Sequence, residues 1–224
     1  MAHYEIEIKS LLGDEVSAAA LKTNMTALDP EFAHTSNNKQ LNHYFAGGNI
    51  NELYRTVEHL FSAAQTAKLN TVVEKGSDFS VRTRDRDGEV LLVVKASVDA
   101  GTSENTISRL EFEESVALEL GELDILVEAA GFTYQAKWSR TREEYRYKGI
   151  NVCLDYNAGY GYLAEFEKIV DSEAETAAAR TQIEALMNEL GVVELDQARL
   201  ARMFEHYNQN WRDYYGTTKT FVVE

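Results

Sequence analysis

Cysteine and proline are almost missing from this 224-residue chain: Cys153 and Pro30 are the only ones. A single cysteine excludes an intramolecular disulfide and a cysteine-based zinc cluster. A single proline leaves no long proline-stiffened linker. The five histidines, His3, His34, His43, His59 and His206, are scattered and show no metal-ligand spacing. No apolar run approaches the ~18 residues of a membrane span. Met1 to Lys9 is charged and alternating, unlike a signal peptide, so a cytoplasmic location is the expectation. Basic residues are scarce too, with 22 Lys+Arg against 37 Asp+Glu and a net charge of −15. Phosphate-backbone and anionic-membrane contacts need a basic surface, so neither extended nucleic acid nor a membrane is an expected partner. Homodimerisation is left open.

Against these absences stand 44% hydrophobic and 26% charged residues, a globular composition. The length permits one or two domains, and one domain over residues 1–224 is expected. Its strands would lie within 4–169 and a helical segment within 172–216. Tyr4 to Lys9 alternates strictly, a strand period. Further strands are expected at Gln40–Phe45, Phe79–Arg86, Glu89–Ala96, Ser108–Ser115, Tyr134–Tyr147, Ile150–Tyr156 and Tyr162–Ile169. Asp87-Gly88 and Lys148-Gly149 read as hairpin turns. Helical spacing predicts helices over Asp14–Leu28, Asn49–Leu69, Leu123–Ala130, Ala174–Leu190 and about Leu195–Tyr215. Meandering strands with flanking helices make this an α+β chain.

Charge on the strands is regular. Arg82, Arg84 and Arg86 share one face, as do Arg109, Glu111 and Glu113; Arg140 and Arg142; and Glu165 and Glu167. Lys95 shares a face with Val93 and Leu91, and Asp155 with Cys153. For one strand, a solvated outer face explains such a pattern. For all strands together, a sheet closed into a barrel with a polar interior explains it better. Desolvating so many charges needs ligands or metals that compensate them. Carboxylates at i and i+2 on a strand project side by side, ~6–7 Å apart, and hard cations take oxygen ligands. Glu5/Glu7 and Glu165/Glu167 are therefore candidate ligands of Mg²⁺ or Mn²⁺. Arginines hold phosphate oxygens bidentately. Acid pairs for metal and bases for phosphate suit phosphoryl transfer.

In order along the chain, these residues resemble a known family. Glu5-Ile6-Glu7-Ile8-Lys9 is similar to the ExExK signature of the CYTH superfamily, the triphosphate tunnel metalloenzymes. Gln40…Tyr44-Phe45, Arg82-Thr83-Arg84, Lys95, Arg109-Leu110-Glu111-Phe112-Glu113, Arg140-Thr141-Arg142 with Tyr145, and Asp155 with Gly161…Glu165-Phe166-Glu167 match its later strands. The resemblance implies an α+β fold: a closed eight-stranded antiparallel β-barrel, the triphosphate tunnel, with helices packed outside. It implies metal ligation by Glu5, Glu7, Asp155, Glu165 and Glu167. It implies triphosphate binding by Lys9, Arg82, Arg84, Lys95, Arg109, Arg140 and Arg142, with Glu111 and Glu113 lining the wall to orient bases, water or a second metal. Glu5, Glu7, Lys9, Glu111 and Glu113 would form the catalytic group.

The activity so implied is divalent-metal-dependent hydrolysis of a small-molecule triphosphate by water attack on the terminal phosphate. Inorganic tripolyphosphate is preferred, because no motif reads a base; nucleoside and thiamine triphosphates are alternatives. A class IV-like adenylate cyclase, and a non-catalytic polyphosphate- or nucleotide-binding module, are the competing readings. The aromatic C-terminal segment, with Phe204, Tyr207, Trp211, Tyr214, Tyr215 and Phe221, either packs outside the barrel or caps the tunnel, with Lys219 reaching the substrate.

Overall fold

Short-range chemistry sets most element boundaries. The computed structural model of the protein describes residues 4–97 and 109–223. Strand β1 spans Tyr4–Gly13. Helix α1 (Glu15–Leu28) begins where the Asp14 side chain accepts from Ser17 N at 2.8 Å. Strand β2 (Ala33–Gly47) is far longer than the alternation from Gln40 suggests. The single helix expected over Asn49–Leu69 is two, α2 (Ile50–Val57) and α3 (Ala63–Lys75). A capping box of Ser62 and Gln65 starts the second.

Next come β3 (Ser77–Arg86), β4 (Glu89–Ser97), β5 (Arg109–Val116) and α4 (Leu120–Ala129). They are followed by β6 (Phe132–Tyr147), β7 (Ile150–Asn157), β8 (Gly161–Val170), α5 (Thr176–Leu190) and α6 (Gln197–Asn210). Both expected hairpin turns hold two consecutive positive φ angles, 51° and 88° at Asp87-Gly88 and 45° and 80° at Lys148-Gly149. These are the angles a two-residue turn needs to match strand twist. Among the described residues no helix is long and apolar enough to cross a membrane.

The eight strands form one antiparallel sheet in the order β1-β8-β7-β6-β2-β3-β4-β5. The expected closed barrel is not formed. β1 and β5 are edge strands, and among the described residues no hydrogen-bonded ladder joins them. Instead of β5, the chain just before α6 covers the free edge of β1, where Leu195 N donates to Lys9 O at 2.7 Å. That contact occupies a backbone group of the edge that closure would have used. The sheet is nevertheless strongly curled. Lys95 on β4, seventh in the sheet order, lies 3.6 Å from Glu5 on β1 at its other edge.

The convex face carries the apolar residues. Ile6, Ile8, Val152, Leu154 and Phe166 pack with Leu21 and Met25 of α1 and Ile183 and Met187 of α5. Val81, Val90, Leu92, Val94 and Phe112 pack with Leu53 of α2, Leu69 of α3 and Leu123 of α4. Each fully buried side chain of this size contributes about 1.5–3 kcal/mol. Two helical layers thus cover the two halves of the sheet, and alternation turns the charged residues to the concave face.

A polar trough on the concave face

Register places the charged residues of separate strands side by side. Lys9 stands opposite Glu165, and Glu7 opposite Glu167. Arg142 stands opposite Asp155, and Cys153 opposite Glu165. Gln40 faces Arg140, Asn42 faces Arg84 and Tyr44 faces Arg82. Lys95 faces Glu111, and Val93 faces Glu113. Seven strands therefore supply ionised side chains to one concave surface, and β2 supplies neutral polar ones.

The basic groups are held by specific partners. Arg84 Nη1 contacts both carboxylate oxygens of Glu113 at 3.1 Å, while its Nε donates to Asn42 Oδ1 at 2.7 Å. Arg140 donates from Nε to Gln40 Oε1 at 2.8 Å and from Nη1 to Asp155 Oδ2 at 2.7 Å. Arg142 reaches both oxygens of Asp155, at 2.7 and 2.6 Å, and also Glu165. Lys95 lies 3.1 Å from Glu111, and Lys9 lies 3.7 Å from Glu165 and also contacts Glu7. Arg86, near its strand end, pairs with Glu89 at 2.7 Å and sits 3.5 Å from Glu113. The Arg109 side chain lies outside the described residues.

Electrostatics divides the trough. Burial works against ionising Glu165, but Arg142, Lys9 and Arg140 outweigh it and hold the carboxyl far below the usual range. Glu167 moves the other way, because burial and the nearby charge of Glu5 raise its proton affinity. Burial lowers the proton affinity of Arg84, with Glu113 opposing. For Arg142 burial is outweighed by Glu165 and Asp155, which raise it. Burial pushes the Cys153 thiol up to about 12, so it is protonated and unreactive at neutral pH. The fully buried Asp155 accepts from two guanidinium groups.

Among the described residues no group of three or more His, Cys, Asp or Glu side chains is arranged to hold a metal ion. The donors nonetheless suit a hard cation. Glu167 stands opposite Glu7 on the neighbouring strand and feels the charge of Glu5, like charges that a bound cation would relieve. Mg²⁺ commonly takes one or two carboxylates and completes its shell with water and phosphate, so a preassembled cage is not required.

One end of the trough is closed. Trp138, on the face of Arg140, stacks on Tyr207 of α6 with ring centroids 3.7 Å apart, and meets Tyr160 and Phe204 edge-on. Leu11 and Leu163, on the faces of Lys9 and Glu165, join a cluster with Leu195, Leu200 and Met203. Helix α6 therefore covers concave residues; it does not pack outside with α5. Beyond it, Tyr215 crosses to the convex face and its hydroxyl lies 2.7 Å from His43 Nε2. The tail is fastened by backbone bonds, Phe221 N donating to Gly159 O at 2.5 Å and Gly159 N to Lys219 O at 2.8 Å. Lys219 is exposed on this tail.

Sequence reasoning did not single out Asn38, Asn42 or Trp138. Asn42 steadies Arg84, and Asn38 Oδ1 accepts from Gln40 Nε2 at 2.8 Å. The usable signal was parity: Asn38, Gln40, Asn42 and Tyr44 recur every second residue.

Comparison with known proteins places the fold. The fold is similar to a conserved hypothetical protein of Pyrococcus furiosus, with a TM-score of 0.61 and 17% identity over 85% of this chain and 92% of that one. It is similar to a putative adenylate cyclase of Vibrio parahaemolyticus, with a TM-score of 0.58 and 15% identity over 90% and 99% of the two chains. It is also similar to a putative adenylyl cyclase of Hippeastrum described as having a dominant triphosphatase activity, with a TM-score of 0.52 and 19% identity over 90% and 95%. No curated protein matches the sequence. The CYTH domain model matches residues 69–201, from α3 into α6 and more than half of the chain. The charged strands β3 to β8 all lie within that stretch, and on this match the chain belongs to the CYTH domain family.

Proposed function

We propose that this protein hydrolyses a small triphosphate with the help of a divalent metal ion, and that inorganic tripolyphosphate is its preferred substrate. The observation that carries the reading is the concave trough, where Lys95 of β4 lies 3.6 Å from Glu5 of β1, Arg142 of β6 contacts Glu165 of β8, and Arg82 and Arg84 of β3 share the same face. The side chains of Lys95, Glu5 and Glu165 are only 15%, 20% and 13% exposed, so their charges interact through a medium less screening than water.

Arg82, Arg84, Lys95, Arg140 and Arg142, with Lys9, bind the phosphate chain. Glu113 and Asp155 fix three of these guanidiniums before substrate arrives, so they need no reorganisation as charge develops. Glu111 orients Lys95 in the same manner. Glu5, Glu7 and Glu167 would hold Mg²⁺ or Mn²⁺, with Glu165 beside them. The bound ion supplies charge neutralisation on the phosphate oxygens. Water, oriented by the carboxylates of β1 and β8, attacks the terminal phosphorus; the bridging P–O bond breaks, and orthophosphate and pyrophosphate leave carrying the protons of that water.

The closed end favours an inorganic substrate over a nucleotide. Trp138, the large aromatic side chain there, already stacks on Tyr207 and is edged by Tyr160 and Phe204. One face of its indole is therefore already taken by a protein ring.

Incubation with tripolyphosphate, thiamine triphosphate and ATP, each with Mg²⁺ or Mn²⁺, tests the reading. Orthophosphate release, fastest from tripolyphosphate, is expected. Cyclic AMP with pyrophosphate would replace hydrolysis by cyclisation, and binding without turnover would make the protein a non-catalytic module. The Glu5→Gln/Glu7→Gln double variant should lose metal-dependent turnover.

A further inference from the structure

Arg82 differs from the other basic side chains of the trough. Arg84 is paired with Glu113, Arg140 and Arg142 with Asp155, and Lys95 with Glu111. Among the described residues Arg82 has no carboxylate partner. Its contacts are with one phenol: Nη1 donates to Tyr44 Oη at 3.1 Å, and the guanidinium carbon lies 4.6 Å from the Tyr44 ring centroid. Its Nε is buried and has no hydrogen-bond partner. A buried N–H without an acceptor on a cation without a counter-ion is costly, and an anionic oxygen relieves both costs.

Tyr44 has a matching unmet donor. Its oxygen accepts from Arg82, so its own proton is free for another acceptor, and no protein group among the described residues takes it. Arg82 and Arg84 from β3 and Arg140 from β6 act on this phenol, with Glu165 of β8 opposing them. Burial would raise its proton affinity, but the three arginines prevail and lower it, which makes the hydroxyl a stronger donor. The ring is held in place, since Trp138 lies 6.2 Å away and itself stacks on Tyr207.

We propose that Tyr44 is a substrate-positioning residue: it fixes the Arg82 guanidinium and donates its hydroxyl proton to a non-bridging phosphate oxygen. The ligand, a triphosphate, is taken from the function proposed above. The two residues form one anion-holding unit, contributed by facing positions on β2 and β3.

Tyr44→Phe keeps the ring and its contact with Arg82 and removes only the hydroxyl. It should raise KM for magnesium tripolyphosphate about tenfold, as expected for loss of one charge-assisted hydrogen bond, with kcat changed less than about threefold. Calorimetric titration with tripolyphosphate in EDTA, where turnover is absent, should show the same weakening in Kd. Arg82→Lys should weaken binding too, and the double variant should be little worse than Arg82→Lys alone, because the pair acts as a unit. Wild-type KM and Kd in a folded Tyr44→Phe protein would overturn the inference while leaving the hydrolase reading intact. Weakened binding of tripolyphosphate, with no triphosphate hydrolysed by the wild type, would support the positioning role and refute the hydrolase. A wild type that does not bind tripolyphosphate would overturn both.

Discussion

At the scale of single residues, Asp155 separates two kinds of carboxylate in the trough. The family resemblance implies a metal ligand, but its oxygens accept from Arg140 and Arg142. Asp155→Asn keeps the shape and removes the charge that two largely buried guanidiniums share. Breaking a buried pair from one side costs about 3–5 kcal/mol. A loss of about 3 kcal/mol is expected from urea unfolding, with a higher KM for triphosphate and an unchanged Mg²⁺ half-saturation. If instead the Mg²⁺ requirement rises and KM stays put, Asp155 ligates the metal. A second buried acid lies on the convex side. Asp124 of α4 accepts from His43 Nδ1 at 2.6 Å, Thr83 Oγ1 at 2.5 Å and Tyr134 Oη at 2.7 Å. Burial opposes its ionisation, yet hydrogen bonds from His43, Thr83 and Tyr134 hold its carboxyl below the usual aspartate range. A depressed acid stabilises the fold above its unfolded pKa and loses that contribution as pH falls through the folded value. Asp124→Asn should therefore cost about 2–3 kcal/mol at pH 7 and progressively less as the buffer is taken below pH ~4. An equal cost at every pH would show that the charge is not what matters. The residue type and parity of the charged strands were readable in the sequence, because alternation forces i and i+2 onto one face. The pairings were not, since which carboxylate meets which guanidinium depends on register between strands distant in sequence.

At the scale of elements, the legible ones were those with a local punctuation mark. Asp14, Asp87-Gly88, Lys148-Gly149 and Gly191 each sit at the boundary their chemistry predicts. Strand β2 was under-read, because its first half, Ala33 to Lys39, is polar on both faces and carries no apolar alternation. The long helix expected from Asn49 was over-read. Its apolar spacing continues through Leu60 and Phe61, although the capping box at Ser62 starts a new helix. The C-terminal segment could not be placed from sequence, since an aromatic stripe packs equally well on either face of a sheet. Its anchorage is testable. Burial, with Asp124 nearby, pushes the Tyr215 hydroxyl up to about 12, so it stays protonated, and it shares a hydrogen bond with His43 Nε2. Tyr215→Phe removes one hydrogen bond and should cost about 1 kcal/mol. The visible consequence is faster limited proteolysis within residues 211–223. Cleavage at the wild-type rate would mean that Phe221 and Gly159, rather than Tyr215, fasten the tail.

At the scale of the whole molecule, the net charge of −15 conceals an internal separation. Among the described side chains of the trough, seven bases (Lys9, Arg82, Arg84, Arg86, Lys95, Arg140, Arg142) oppose seven acids (Glu5, Glu7, Glu111, Glu113, Asp155, Glu165, Glu167), a net charge of zero. The rest of the chain therefore carries the whole −15. Bulk composition thus says little about what the trough holds. The closed barrel failed as an expectation for a related reason: charge parity fixes which face is polar but not whether the last two edges pair. Here β1 meets the chain at Leu195, and the gap to β4 is crossed by the Glu5–Lys95 ion pair. The two helical layers pack on different halves of the sheet, so a ligand that engages both halves should tie them together. With a non-hydrolysable imido analogue of tripolyphosphate plus Mg²⁺ at about 100 times Kd, linkage adds about 2.7 kcal/mol. For a chain of this size that corresponds to a rise in Tm of about 5–10 °C. The analogue in EDTA engages the bases alone and should give a smaller shift, and Mg²⁺ alone a smaller one still. In the Glu5→Gln/Glu7→Gln variant the added effect of Mg²⁺ should vanish while the EDTA shift persists. An equal rise with and without Mg²⁺ in the wild type would mean that the carboxylates of β1 and β8 take no part in holding the ligand.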